Sequence, residues 1–155
     1  MTCVGRAGAE EVVVVAGLLA EFRDWLGRSH PTADSLVLSV TRLVDDSGTE
    51  YLLGAPEGER DAAGVCQLRF RFGVWHAAMD CWIEDLFVRE GVRSVGLGSS
   101  LVEAALERAR ERGCARVELD VNEANTAALA LYERFGFNAS SKAPGGRDLL
   151  MRLRL

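Results

Sequence analysis

The segment WIEDLFVREGVRSVGLGSSL, residues 82–101, carries the pattern that decides the fold. The first part of this segment belongs to a mostly apolar run, Cys81–Val88, whose length and composition predict a β-strand. A glycine-bearing turn follows at Glu90–Gly98, and a helix is predicted over Ser99–Arg112, where Gly113 ends it. The segment therefore predicts a strand that passes through a glycine turn directly into a helix.

Predicted strands and helices alternate on both sides of this segment. The first helix contains the four valines Val12–Val15, which favour a strand locally, but apolar residues recur at helical spacing along its whole length. The remaining predicted elements are the helices Ala9–Gly27, Asp34–Leu43 and Asn125–Phe135 and the strands Tyr51–Gly54, Gly64–Phe72, Arg116–Val121 and Leu149–Leu155. This order predicts an α/β (α+β) fold in which helices cover a mixed sheet.

Length and composition fit a single folded domain over residues 1–155. Of the 155 residues, 48% are hydrophobic and 26% are charged, so the chain is expected to bury a substantial core. The net charge of -5 disfavours nucleic acid and anionic membranes as partners, because both attract a basic surface. A small cationic substrate suits an acidic protein better.

The N-terminal region and the cysteines bear on compartment and metal content. Acidic residues Glu10 and Glu11 interrupt any signal-peptide pattern, and the apolar run Val12–Ala20 is too short to span a bilayer. The cysteines lie far apart without a CxxC spacing, so no metal site is predicted. They are Cys3, Cys66, Cys81 and Cys114. Reduced thiols and a cytoplasmic location are the expectation.

Histidines and cysteines form no recognisable nucleophilic arrangement. His76 has no serine or cysteine partner suggested by the sequence, and a lone histidine is more often structural. Cys81 and Cys114 fall at the starts of predicted strands and are interpreted as buried fillers. Trp75 and Trp82 fit core packing better than a substrate mouth.

The turn Arg93–Ser99 has the features of an anion site. Its glycines let the backbone approach a ligand closely, and the first amides of the following helix have no partner inside the helix. Those amides and the helix dipole attract phosphate, and Arg93 adds a positive charge. No Gly-Lys-Ser/Thr follows, and Leu101 stands where a dinucleotide fingerprint has its third glycine. From the turn alone, phosphate binding and a plain tight turn both stay open.

Two motifs together resemble one family. The turn Arg93–Gly98 has the form Arg-x-x-Gly-x-Gly and resembles the acetyl-CoA signature of the GNAT superfamily of N-acetyltransferases. Asn125–Phe137 is similar to the family's second familiar stretch, an asparagine before a helix that ends in Tyr-x-x-x-Gly-Phe. The resemblance covers Asp80–Phe137. It implies a mostly antiparallel mixed sheet flanked by helices, with acetyl-CoA in a cleft between splayed strands.

The resemblance also implies which residues contact acetyl-CoA as the acyl-donor co-substrate. They are Leu86, Phe87, Val88, Arg93, Ser94, Val95, Gly96, Leu97, Gly98, Ser99 and Asn125. The first three would pair with the pantetheine arm as an extra strand does, and the turn would hold the pyrophosphate. Asn125 is also a good helix N-cap, and both interpretations of it stay open. Ser94 and Val95 depart from the common pattern, which predicts weaker affinity but leaves backbone binding intact.

Two carboxylates, Glu84 and Asp85, interrupt the apolar strand Trp82–Val88. With this Glu-Asp pair the strand resembles the corresponding strand of the polyamine and diamine acetyltransferases, such as the spermidine/spermine type. An amine is protonated at neutral pH, so Glu84 is predicted as the general base that prepares it for attack. Asp85 is predicted to contact the substrate. Neighbouring strand residues face opposite sides, so both reach one site only if a β-bulge intervenes. The alternative is an acidic residue at a sheet edge or in a salt bridge.

Tyr132 is predicted to act near the departing thiolate of CoA, as acid or hydrogen-bond donor, with core packing as the alternative. For the whole chain, other interpretations stay open. The acceptor is a small polyamine-like amine, or else a protein, amino-acid or drug-like amine. A further alternative is that the chain is a CoA-binding domain without catalytic activity. Dimers are common in the resembled family, so a homodimer is one implied partner.

Overall fold

The computed structural model describes residues 2–139 and 150–155. The described strands are β1 (Cys3–Arg6), β2 (Thr49–Ala55), β3 (Gly64–Gly73), β4 (Ala78–Val88) and β5 (Cys114–Glu118). The described α-helices are α1 (Val12–Trp25), α2 (Ala33–Val44), α3 (Leu97–Glu111) and α4 (Thr126–Arg134). The chain divides into two compact units, Met1–Asp120 and Val121–Leu155.

The first unit is built on a sheet with the strand order β1-β2-β3-β4-β5. Neighbouring strands are antiparallel except β4 and β5, which are parallel. Parallel neighbours need a crossover connection, and α3 provides it between β4 and β5. This mostly antiparallel mixed sheet with packed helices confirms the predicted fold class.

The two faces of the sheet follow from the alternation of strand residues. Tyr51, Val65 and Phe87 are buried on the face that packs against α1 and α2. On the opposite face, Gly54 lies under α3, where an added Cβ would come within 2.7 Å of the Leu97 Cδ1. The absence of a side chain there allows the N-terminus of α3 to approach the sheet closely.

Glu50 attaches α3 to the sheet through buried ion pairs. Its side chain is only 1% exposed, and Arg108 donates two hydrogen bonds to it, at 2.8 and 2.7 Å. Arg112 donates a third at 3.2 Å. Burial pushes the pKa of Glu50 upward, but the hydrogen bonds and charges of the arginines hold this pKa below its usual value. The carboxylate is therefore ionised and tightly held at neutral pH.

Replacing Glu50 by glutamine is expected to lower the free energy of unfolding by about 3 kcal/mol at neutral pH, because the guanidinium groups of Arg108, Arg112 and Arg6 lose a buried counter-charge. The folded-state pKa is depressed, so the ion pairs stabilise the fold above the unfolded carboxyl pKa of about 4.3. That stabilisation is lost as pH falls through the folded pKa. Denaturant unfolding at neutral pH and near pH ~3 measures both effects.

Glu111→Gln is the matched control for this prediction. Glu111 also pairs with Arg108, but its side chain is 52% exposed, so its removal is expected to change the unfolding free energy by less than about 1 kcal/mol. Equal losses in the two variants would contradict a special contribution from the buried carboxylate.

Most of the predicted elements are confirmed, with ends that move by a few residues. The predicted helix at Ala9–Gly27 is a short 3₁₀ turn followed by α1, and the helix predicted from Ser99 begins at Leu97. Strand β1 was not predicted, because four mostly exposed residues carry little pattern. The strand predicted at Arg116–Val121 is wrong in its bounds, since β5 ends at Glu118 where its pairing with β4 stops.

Two predictions are wrong. Residues 150–155 are not a strand, and Met151 and Leu153 are exposed; Leu149 lies outside the described residues. Apolar alternation gives a strand its faces, but it does not provide a neighbouring strand to bond with. Trp75 is not in the core, because it lies in the turn between β3 and β4 with 97% of its surface exposed.

Candidate functional site

A β-bulge at Glu84 turns Asp85 to the face of the sheet that α1 and α2 cover. Gln67 of β3 lies opposite Asp85, whereas the next residue, Leu68, lies opposite Ile83, so Glu84 is the extra residue. Without the bulge, Asp85 would face α3 together with Ile83. With it, Asp85 shares a face with Gln67 on the side of α1 and α2. The bulge that the sequence required for a joint role of Glu84 and Asp85 is therefore present.

The two carboxylates differ in their surroundings. Burial, followed by the charges of Glu84 and Asp120, raises the pKa of Asp85 to about 6. Glu84 is exposed. Burial and then the charges of Asp85 and Glu84 raise the pKa of Tyr51 to about 12. The phenol of Tyr51 therefore lies within the electrostatic reach of both carboxylates.

The second half of β4 has an open edge. β5 pairs with β4 only from Met79 to Trp82, and no other strand in residues 2–139 and 150–155 pairs with β4 on that side. The edge at Leu86–Val88 therefore presents backbone donors and acceptors, apart from the Val88 carbonyl, which accepts a hydrogen bond from the Arg93 side chain at 2.9 Å. Such an edge suits the extended, amide-bearing pantetheine arm of acetyl-CoA.

The turn before α3 has the backbone geometry of an anion site. Ser94 and Gly96 both have positive φ, at 76° and 87°, and Gly96 is the N-cap residue of α3. The first amide that bonds back within the helix is that of Ser100, which donates to the Gly96 carbonyl at 3.0 Å. The helix therefore does not use the amides of Leu97 and Gly98, and a left-handed residue directly before them builds a concave cradle. These residues fit a pyrophosphate.

Arg93 is held against the end of β4. Its Nε donates to the Val88 carbonyl at 2.9 Å, and its guanidinium lies 4.9 Å from the ring centre of Trp25. Trp25 in turn donates from its Nε1 to Glu90 at 3.1 Å. A direct contact between Arg93 and phosphate stays a prediction. In this structure Arg93 connects the open strand edge, the turn and the end of α1.

Asn125 and Tyr132 lie in the second unit, where α4 positions them. The Asn125 side chain accepts a hydrogen bond from the Ala128 amide at 3.2 Å, so its predicted role as N-cap is confirmed. Tyr132 is buried and makes an edge contact with the Phe137 ring at 5.8 Å between centroids. Their roles toward acetyl-CoA stay predictions.

Within the described part of the chain, burial of two thiols and the spacing of the acidic groups bear on nucleophilic and metal chemistry. Burial raises the pKa of the Cys66 thiol and takes that of Cys81 to about 12, which keeps both protonated and unreactive. Among the residues that the structure describes, no group of three or more His, Cys, Asp or Glu side chains could hold a metal ion. His76 instead pairs with the buried Asp80 at 2.8 Å.

Comparison with known families gives one clear match. Residues 18–137 match the acetyltransferase (GNAT) family. The chain belongs to this family. One curated relative of this GNAT chain is the Bos taurus thialysine N-epsilon-acetyltransferase, with 28% identity over 92 residues, which is 59% of this chain and 53% of that protein. The GNAT chain thus matches only about half the length of this curated relative.

Solved structures share the fold over nearly the whole GNAT chain. A protein from Arthrobacter sp. FB24 that is classed as an acetyltransferase has a TM-score of 0.86 and 28% identity, covering 99% of this chain and 96% of that one. An aminoglycoside N-acetyltransferase in complex with CoA has a TM-score of 0.78 and 18% identity, covering 100% and 96% of the two chains. The second match is evidence for the fold alone.

Sequence analysis did not predict two features of the GNAT chain. Gln67 and Tyr51 join the carboxylate pair only through the register of three strands, which no local motif encodes. Trp25 meets Arg93 only in the folded chain. No helix within residues 2–139 and 150–155 has both the length and the apolar character to cross a bilayer.

Proposed function

We propose that this chain is an acetyl-CoA-dependent N-acetyltransferase that transfers acetyl to a primary amine by direct attack on the thioester. The observation that carries the proposal is the second half of β4. It combines an open edge at Leu86–Val88 with a bulged carboxylate pair, a few residues before the anion-binding turn. One strand would thus provide both donor binding and proton removal.

Acetyl-CoA supplies the activated acetyl group as a thioester. The backbone of Leu86–Val88 would hold the pantetheine arm, and the turn Arg93–Ser99 would hold the pyrophosphate through its amides. The family match from residue 18 to residue 137 extends across both compact units, which supports the proposal that residues 1–155 act as one catalytic domain. Asn125 would contact the amide region of acetyl-CoA.

Glu84 would act as the general base. An alkylamine with a pKa near ~10.4 is almost fully protonated at neutral pH and must lose a proton before its nitrogen attacks. Glu84 is exposed on the bulge, where it would accept the proton directly or through a water molecule and pass it to solvent. Asp85, which is more buried, would hold positive charge on the acceptor.

Tyr132 would stabilise the departing thiolate. Full proton transfer from a phenol of pKa ~10 to a thiolate of pKa ~8.5 is uphill by about 2 kcal/mol. A hydrogen bond with late or partial transfer is therefore the physically favoured form of its contribution.

A small cationic amine is the acceptor that the charges favour. Asp85, Glu84 and Asp120 interact electrostatically, and the whole chain carries a net charge of -5. The bovine relative is named for thialysine N-epsilon acetylation. A polyamine-like or diamine acceptor, a cytoplasmic location and a homodimer remain proposals.

An acceptor panel tests this function. The purified chain is incubated with acetyl-CoA and a diamine, a monoamine, lysine, an aminoglycoside or a peptide with a free N-terminus, and release of CoA thiol is followed. We expect turnover, fastest with a small di- or polyamine. Binding of desulfo-CoA without turnover on any amine would instead support a CoA-binding domain that lacks catalysis.

A further inference from the structure

A row of three polar side chains crosses the sheet beside the bulge. Tyr51 of β2 lies opposite Gln67 of β3, and Gln67 lies opposite Asp85 of β4. Directly opposed strand residues point to the same face, so the three side chains are lateral neighbours under α1 and α2. We refer to them as the Tyr51–Gln67–Asp85 row.

The polar ends of this row are not used by the fold. Gln67 is 6% exposed and Tyr51 is 1% exposed, yet no hydrogen bond within residues 2–139 and 150–155 involves their side chains. No fully buried polar side-chain atom in the same residues lacks a partner. The Gln67 amide and the Tyr51 hydroxyl must therefore open onto solvent-accessible space.

The charge around the row is mainly negative. Asp85 has no salt bridge among the described residues, and the nearby charges that act on it are those of Glu84 and Asp120. The positive charge of Arg69, in the next row of the sheet, lowers the pKa of the Tyr51 phenol. The Arg69 guanidinium also lies 3.9 Å from the Asp46 carboxylate, which shares its charge. An ionised Asp85 therefore has no positively charged partner among the described residues, and a cationic ligand could provide one.

We propose that the Tyr51–Gln67–Asp85 row binds a second, protonated amino group of the acceptor, remote from the nitrogen that is acetylated. An alkylammonium group donates three hydrogen bonds, and the row offers the carboxylate, the amide oxygen and the hydroxyl as acceptors. Glu84, one residue away on the bulge, is left for the reacting amine. The inference rests on the proposed acetyl transfer and assigns specificity to Gln67 and Tyr51.

The test compares butane-1,4-diamine with butylamine at saturating acetyl-CoA. Tyr51→Phe and Gln67→Met each remove one acceptor at nearly constant volume and should raise the KM for the diamine about tenfold, because each loses a hydrogen bond to a charged group. The kcat for the diamine and the KM for butylamine should stay within about twofold of wild type. Thr49→Val, which removes a hydroxyl from the same strand face, is the control and should leave both KM values unchanged.

Equal increases in KM for both amines, or no increase in either variant, would overturn the row as a site for a second ammonium group. If the wild-type chain acetylates neither of these two amines, calorimetry with desulfo-CoA and butane-1,4-diamine still tests the row. The proposed function itself fails only when no amine of the panel is acetylated. Weaker diamine binding in Gln67→Met and Tyr51→Phe than in Thr49→Val would support it. Identical affinities in all three would overturn it.

Discussion

Gly96→Val is expected to weaken acetyl-CoA binding by a factor of about a hundred or more, because it displaces the two amides that are proposed to bind the pyrophosphate. Gly96 has φ of 87°, a conformation that a β-branched residue avoids. A valine there would pull the turn toward negative φ and rotate the amides of Leu97 and Gly98 away from the ligand. Isothermal titration calorimetry with acetyl-CoA measures the loss.

Gly113→Val separates this effect from simple strain. Gly113 follows the other end of α3, also has positive φ at 68°, and has open space where a Cβ would stand, as Gly96 does. Both variants should therefore lose similar stability, whereas only Gly96→Val should lose acetyl-CoA. Wild-type affinity in a folded Gly96→Val protein would remove the pyrophosphate from this turn.

Glu84→Gln is expected to lower kcat by about a hundredfold or more near neutral pH, because the amine loses its proton acceptor. The deficit should shrink as pH approaches the pKa of the amine, where the free base is already present in solution. A pH–rate profile with a saturating alkylamine measures this. Full activity and an unchanged profile in Glu84→Gln would exclude it as the base.

Asp85→Asn should act differently, since Asp85 is predicted to bind charge. The pKa of Asp85 is about 6, so wild-type kcat/KM for a diamine should fall as pH drops through that value, and the variant should lose this low-pH limb together with its preference for diamines. The raised pKa also means that the ionised carboxylate opposes folding above that pH. Asp85→Asn should therefore unfold at no lower denaturant concentration than wild type at neutral pH.

The strand, turn and helix of the donor site could be predicted because each depends on neighbouring residues. The positive φ at position 96 requires glycine. The two carboxylates in the apolar strand Cys81–Val88 stand out in the sequence because burying a charged group costs free energy. Both features can be recognised from a short stretch of consecutive residues. The family resemblance also implied that pantetheine lies along the edge at Leu86–Val88, and this stays a prediction.

The side chains beside Glu84 and Asp85 could not be predicted, because their positions depend on strand register. Gln67 and Tyr51 gain a role only when β2, β3 and β4 align with one bulge, and a shift of one residue would send both side chains to the other face. Arg93 shows the same limit. The motif indicated phosphate, but the folded chain brings its guanidinium to the Val88 carbonyl and the Trp25 ring.

The most direct measurement of the central claim is transfer of a labelled acetyl group. The wild-type chain, incubated with acetyl-CoA labelled in its acetyl carbons and with butane-1,4-diamine, should yield diamine that carries the labelled acetyl on one nitrogen, with an equal amount of free CoA, by mass spectrometry. Gly96→Val should yield neither product above the background of the mixture without protein. Unlabelled diamine after prolonged incubation, with no labelled product on any amine of the panel, would contradict an N-acetyltransferase.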